Sequence, residues 1–490
     1  MFLLCVVPFV VLAALNSGGY RYGASDQAFY QPAVLEQLDP DLFPRDTEVI
    51  AAQSHLTVAD DVMAALVRVS GASVPAVFAI LYVAALALFA WGVWQIGLHV
   101  YADTWTAITL LAAVTLRHAI ARSGTNTLEG YFQPRLMAYA LGACAMAAFL
   151  RGRLTPALLL VAVAGAVHPT TALWFAVWLA VAAGIQHRRL RKWLLIAAAA
   201  AALASVWILT TGPLAGRLAL MDPEWRAMLA TKSYLFPLEW PAYAWLINLG
   251  YLLVIIWLYG VRRRAGLVTP AERALVFGSF SLAAIFAGAL VLHAVGVVLA
   301  FQLQPARVFW MFDFLATVYA VWAIAEGRFS GLRAGAIRSR RPQIAALILI
   351  CLSAARGVYV IVEAERPPVQ LTIPDDDWGR VMAWARATGK GSGWLADPMH
   401  AVRYGTSVRV AGERDVLVEA VKDAAIGMYD RRIAVRTDER LKAVPHFDAL
   451  TAADARRVGA LYRLDFLVTE ETLELPLVFE SGALRVYRLR

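Results

Sequence analysis

Charged side chains are scarce in this chain: they make up 17% of its 490 residues, against roughly 25% in a soluble domain. Cysteine occurs three times, as Cys5, Cys144 and Cys351. Each lies inside an apolar stretch and none forms a CxxC pair, which excludes a disulfide framework and a thiolate metal or redox motif. No internal repeat and no low-complexity segment is present, which sets aside solenoid, collagenous and disordered classes. What is abundant is hydrocarbon: 60% of the residues are hydrophobic. Soluble domains hold about 45–50%, and single cores stop growing near roughly 250–300 residues, so a larger core does not account for the excess. Apolar runs long enough to cross a bilayer recur instead. The fold class expected is mainly α, a polytopic transmembrane helical bundle.

Eleven runs carry this reading: 2–15, 74–98, 104–121, 135–150, 154–167, 171–186, 193–211, 242–260, 274–298, 307–325 and 343–362. The first lacks a basic stretch before it and reads as a membrane helix rather than a cleaved leader. Charge divides the chain at its last run. Residues 1–362 carry 26 Lys and Arg against 16 Asp and Glu, whereas residues 363–490 carry 19 against 20. The basic excess therefore belongs to the membrane part, where it lies in short clusters between apolar runs. Four of these clusters (Arg151/Arg153, Arg188–Lys192, Arg262–Arg273 and Arg328–Arg341) hold 15 Lys and Arg, and their side of the bundle holds three acids, Asp103, Glu272 and Glu326. Eleven spans place all four on one side, which the positive-inside rule makes cytoplasmic. A basic balance distributed this way is a topology signal and not a nucleic-acid footprint. The segments 16–73, 122–134, 212–241 and 299–306 and the whole tail then face outward. Two domains follow: residues 1–362 in the membrane, with 16–73 as a long outer loop carrying surface helices, and 363–490 as a soluble, extracytoplasmic α/β unit. In the tail, helices are expected at 376–388, 415–432 and 452–462, and strands at 393–396, 407–411, 466–468 and 483–489.

Candidate chemistry gathers on the outer side. The 16–73 loop holds eight acids. Asp39, Asp41, Asp60 and Asp61 read as helix caps or solvated groups. Asp26 stands apart, just outside the first span in Tyr20-Arg-Tyr-Gly-Ala-Ser-Asp-Gln-Ala-Phe-Tyr30, where a carboxylate can serve as a general base at the membrane surface. Asp46, in Phe43-Pro-Arg-Asp, is the second candidate. Arg135 opens the fourth span and Arg307 the tenth, each after a Gln-Pro turn. A guanidinium fork there suits an anion, with Glu129 placed to position Arg135, and Tyr30 and Gln304 as supporting groups. His168 sits at the tip of a hairpin between two short spans and has no partner at metal-ligand spacing. Asp313 lies six residues inside its span, and an ionisable group there is functional or paired; Arg117, His118 and His293 are weaker cases of the same kind.

The layout resembles the C-type (GT-C) membrane glycosyltransferases, which use polyprenyl-phosphate-linked sugars. Shared features are a first span followed by a long outer loop with an early Asp, a multi-helix bundle, and a soluble outer C-terminal domain. Ser25-Asp26-Gln27, Tyr131-Phe-Gln-Pro-Arg135, His168-Pro169, Gln304-Pro-Ala-Arg307, Arg403-Tyr-Gly-Thr-Ser-Val-Arg409 and Lys422-Asp423 look like motif positions of uncharacterised bacterial members. The resemblance implies an inverting transfer from a polyprenyl-phosphate sugar to a glycan, lipid or protein acceptor, in the bacterial inner membrane. Asp26 or Asp46 would be the base, and Arg135, Arg307 and His168 would bind the departing phosphate. The family's paired-acid form is absent, since Gln27 follows Asp26, so no metal site is assigned and no cofactor is required, with dependence on a divalent metal left open. Two other classes fit the sequence: a transporter or flippase of a lipid-linked or anionic substrate, with Asp313, Arg117 and His293 along its path, and a non-catalytic scaffold whose tail binds a partner.

Overall fold

The computed structural model describes residues 2–55, 57–212, 214–327 and 340–490. Arg328, Arg333 and Arg338 of the fourth basic cluster lie outside the described residues. Every one of the eleven apolar runs is a helix: Phe2–Asn16, Val74–Val100, Thr104–Thr115, Pro134–Leu150, Leu154–Val167, Pro169–Gln186, Arg191–Thr210, Ala242–Arg264, Pro270–Val295, Val308–Ala325 and Arg341–Glu363. Among the described residues, seven helices are long and apolar enough to cross a membrane by length and composition, and the apolar helices beginning at Phe2, Thr104, Pro134 and Leu154 are shorter. The largest departure is at 104–121, where the helix stops at Thr115. Its expected last turn is spent on a hairpin, Ala119–Ile120 against Thr125–Asn126, which the polar pair Arg117-His118 begins.

One end of the bundle gathers the basic loops. Arg262 pairs with Glu272 at 2.8 Å and also donates to the Val100 carbonyl. Glu326 accepts from the backbone N–H groups of Ala102 and Asp103, and Asp103 caps the helix that follows it. The three acids of this end are thus all engaged locally, which leaves the arginine excess of the loops to face solvent. The opposite end is covered. Three helices of the first loop (Gln27–Leu38, Thr47–Ser54 and Ala59–Ser70) lie there, as expected for 16–73, and so does the tail.

The tail is built on a five-stranded sheet in the order Asp415–Val416, Gly393–Leu395, Phe466–Thr469, Leu484–Arg488, Leu477–Ser481. Its first three strands run parallel and the last two are antiparallel additions. Successive side chains on a strand point to opposite faces, and both faces are covered. Trp394, Val468 and Val486 pack with Trp378 and Met382 of the helix Asp377–Arg386. Leu395, Leu467 and Tyr487 pack with Ala455 and Val458 of the helix Ala452–Tyr462. The expected strand at 407–411 is instead a π-helical turn, Val408–Gly412. Val408 and Val410 mimic strand alternation, but Ser407 caps Val410 and the turn aims Arg409 inward. The expected helix 415–432 is a short strand followed by the helix Ala420–Ile426, and a separate helix, Arg431–Ala443, comes after it.

The tail docks on the first loop through backbone pairing and ion pairs. Tyr20–Arg21 pairs in parallel with Val369–Gln370. Gly19, at φ +82°, makes this possible, since a Cβ there would lie 2.6 Å from the Pro368 carbonyl oxygen. Farther along, Asp46 enters the tail and accepts from Arg409 at 2.8 Å, Arg436 at 2.5 Å and the Val416 N–H at 3.1 Å.

Candidate active site

Three proline-started helices converge on one cavity. Gln133-Pro134-Arg135 opens one, His168-Pro169 the second, and Gln304-Pro305-Ala306-Arg307 the turn before the third. Proline tolerates the first helical position because its missing N–H has no partner there anyway. Each sequence motif therefore fixes a helix N-terminus and hangs a polar side chain beside it. N-terminal helix dipoles and free N–H groups favour anions. Asp26 sits at the start of a fourth helix, Gln27–Leu38. The cavity, about 180 Å³, is lined by Asp26, Tyr30, Gln133, Arg135, His168, Lys232, Tyr234, Gln304, Arg307, Lys422 and Tyr429, among others.

Charge in this cavity is lopsided. Among the described residues its wall carries one carboxylate, Asp26, and four basic side chains, Arg135, Lys232, Arg307 and Lys422. Asp26 lies 2.9 Å from Lys422 Nζ and 3.8 Å from Arg135. Burial works to raise the Asp26 carboxyl, but Lys422, Arg135 and Arg307 outweigh it and hold it at about 2. Burial and Lys422 bring Lys232 down to about 8. Arg135 Nε, Arg307 Nε and Gln304 Oε1 are buried without hydrogen-bond partners, and buried polar atoms left this way call for a ligand.

His168 is a neutral group here. Burial, then Arg307 and Arg135, hold its imidazole well below the usual range. Nδ1 accepts the Thr171 N–H at 3.3 Å, which assigns the proton to Nε2 and makes that nitrogen the donor. A second recess of about 350 Å³ shares Tyr30, His168 and Tyr429 with the first and continues along Pro169, Leu173, Leu214, Leu299 and Leu303. A polar, cation-rich chamber thus adjoins an apolar one.

The structure brings Asp26, Tyr30, Arg135, His168, Gln304 and Arg307 together on one cavity wall. Glu129 stands behind it: it accepts from Asn126 at 2.8 Å and faces Arg135 at 3.8 Å and Arg117 at 3.4 Å. Two expected site residues are elsewhere. Asp46 is buried between loop and tail among Arg409, Arg436 and Arg440, where it serves as an anchor. Asp313 pairs with His118 at 3.0 Å and does not line the cavity. The polar groups proposed for a transport path are likewise spoken for: Arg117 pairs with Glu129, and His293 bonds the Ala289 carbonyl against the Phe301 ring. Sequence reasoning missed Lys232, Tyr234 and Tyr429 outright and placed Lys422 only in a tail motif. A lone Lys in an outer loop gives no signal of its own.

No protein-family model matches the chain, and the search of curated proteins found no match. Among solved structures it is similar to the archaeal oligosaccharyltransferase AglB from Archaeoglobus fulgidus, solved in complex with an inhibitory peptide and a dolichol-phosphate. The match covers 95% of this chain and 69% of that one at 10% identity, with a TM-score of 0.49. It is a likeness of backbone course, at a level that assigns no activity.

Proposed function

We propose that the chain is a membrane glycosyltransferase of the GT-C type that moves a sugar from a polyprenyl-phosphate-linked donor to an acceptor on the outer face. The observation that carries this reading is a single carboxylate set among four cations beside an apolar recess. Surplus positive charge fits a phosphate, the recess fits a hydrocarbon chain, and the carboxylate fits a hydroxyl that must lose its proton. The basic end of the bundle is then cytoplasmic, and the cavity and tail face the periplasm of a bacterial inner membrane.

The chemistry is an inverting displacement. Asp26 takes the proton of an acceptor hydroxyl as its oxygen attacks the anomeric carbon, and the bond from that carbon to the phosphate oxygen breaks. Arg135 and Arg307 hold the departing polyprenyl phosphate and His168 Nε2–H donates to it, which is stabilisation aimed at charge as it develops. A carboxyl at about 2 is a poor base at neutral pH. Donor binding corrects this, because a phosphate that engages Lys422, Arg135 and Arg307 withdraws the charges that acidify Asp26. Asp26 is therefore a competent base in the donor complex.

The test is transfer of labelled sugar by purified protein in proteoliposomes, from a polyprenyl-phosphate donor pool to extracted envelope acceptors. Labelled product is the expected result. Polyprenyl-phosphate binding with no transfer from any donor pool would replace the enzyme with a lipid carrier.

A further inference from the structure

A second cavity, about 530 Å³, lies where the first loop meets the tail, and it is larger than the one just described. That volume falls within the range of small-molecule sites, roughly 300–1,000 Å³. Ala24 lines it, two positions before Asp26 of the first cavity. Its wall carries three acids and three arginines, and the acids and one of the arginines are spent on protein partners. Asp376 caps the helix Asp377–Arg386 through the Gly379 N–H at 2.7 Å. Asp377 pairs with Arg380 at 2.6 Å, and Glu470 with Arg403 at 2.8 Å. Arg403 is committed as well, to Asp397 and Asp448 besides.

Arg21 and Arg366 remain. No ion pair joins either to a carboxylate among the described residues, and Arg21 Nε is buried without a partner. Burial, and then the like charge of Arg366, push the Arg21 guanidinium down, and an anion seated near both would meet two positive charges. The same wall holds two more orphaned groups, Trp378 Nε1 and Thr406 Oγ1. Trp378 and Tyr404 stack at 4.5 Å and 14° and form an aromatic side to the cavity. Guanidinium forks recognise carboxylate or phosphate. Neutral donors match hydroxyls, and an aromatic wall matches the apolar side of a sugar ring.

We propose that this second cavity binds an anionic carbohydrate, a carboxylate- or phosphate-bearing stretch of the acceptor glycan. Its role as acceptor site rests on the glycosyl-transfer reading; its binding chemistry does not. The Arg403–Thr406 stretch of the tail motif thereby gains a purpose, as the wall opposite Arg21.

Calorimetry on the purified full chain tests it, with trigalacturonate as the charged probe, maltotriose as its neutral counterpart, and inorganic phosphate. Trigalacturonate should bind more tightly than either of the others. Arg21→Gln and Arg366→Gln should each weaken it by roughly tenfold or more, the loss expected for a hydrogen bond to a charged group. Asp26→Asn should leave it unchanged, so this result stands or falls apart from the transfer assay. Phosphate binding as tight as trigalacturonate would reduce the cavity to a plain anion site and overturn the proposal. Binding that survives both Arg variants, or is lost in Asp26→Asn, would also overturn it. So would a loss in both variants of phosphatidylglycerol binding in nanodiscs with trigalacturonate unaffected, which would make the occupant a lipid headgroup.

Discussion

Lys422 of the tail reaches Asp26 of the first loop at 2.9 Å across 396 positions of sequence, so the soluble domain completes the cavity instead of merely capping it. Lys422→Met removes the nearest of the charges that acidify Asp26. The Asp26 carboxyl should then move up from about 2 toward the ordinary carboxylate range. A pH profile of kcat/KM, which reports groups of the free enzyme, should show its acid limb shifted to higher pH. An unmoved limb would mean that Asp26 is not the group being titrated.

Arg135 and Arg307 are read as a forked cradle for phosphate. Lys at either position keeps the charge and loses the planar fork. Arg135→Lys and Arg307→Lys should therefore impair polyprenyl-phosphate binding almost as much as Arg→Ala does. Full binding by both Lys variants would reduce these residues to helix anchors at the water boundary.

Asp46 carries a different prediction. It is fully buried and accepts from Arg409, Arg436 and the Val416 backbone. Breaking such a buried pair on one side costs about 3–5 kcal/mol. Asp46→Asn should lower thermal stability sharply and loosen the tail, which protease digestion would also register. Normal stability together with lost transfer would make Asp46 the base.

Asp415 sets a pH dependence. Burial, and then the Asp46 charge, raise its carboxyl to about 7. A carboxyl whose folded value lies above its unfolded one binds protons more tightly in the folded state, so its contribution is present at low pH and is lost as pH rises toward 7. Its contribution to thermal stability should therefore fall as pH rises from the ordinary carboxylate range to about 7, and stay lost above it. Asp415→Asn should flatten that slope in part. Asp60, which burial and Asp61 raise to about 8, adds a slope of the same sign.

The bundle was legible because hydropathy over a span is a summed, local signal, and all eleven runs returned as helices. The turn at Val408–Gly412 was not. Its apolar alternation is that of a strand, and what bends it is a buried arginine with one carboxylate 363 positions away. The surroundings of Asp46 were hidden for the same reason: a Pro-Arg-Asp stretch near the membrane looks alike whether its carboxylate faces a cavity or an arginine of another domain. Gln-Pro-Arg and His-Pro, in contrast, encode their own geometry. Proline fixes a helix start, and the polar residue beside it has few other places to go. Lys422 and Lys232 needed the fold, since only the docked tail and outer loop bring them to Asp26.

The central claim is that Asp26 accepts a proton in a transfer reaction. Asp26→Asn keeps the side chain's size and removes the basic oxygen, and the Asp26 side chain makes no capping hydrogen bond that the change would break. Sugar transfer in proteoliposomes should drop by about 10²–10⁴, while the protein stays folded and polyprenyl-phosphate binding persists. Wild-type transfer rates in Asp26→Asn, with folding and binding intact, would contradict the account.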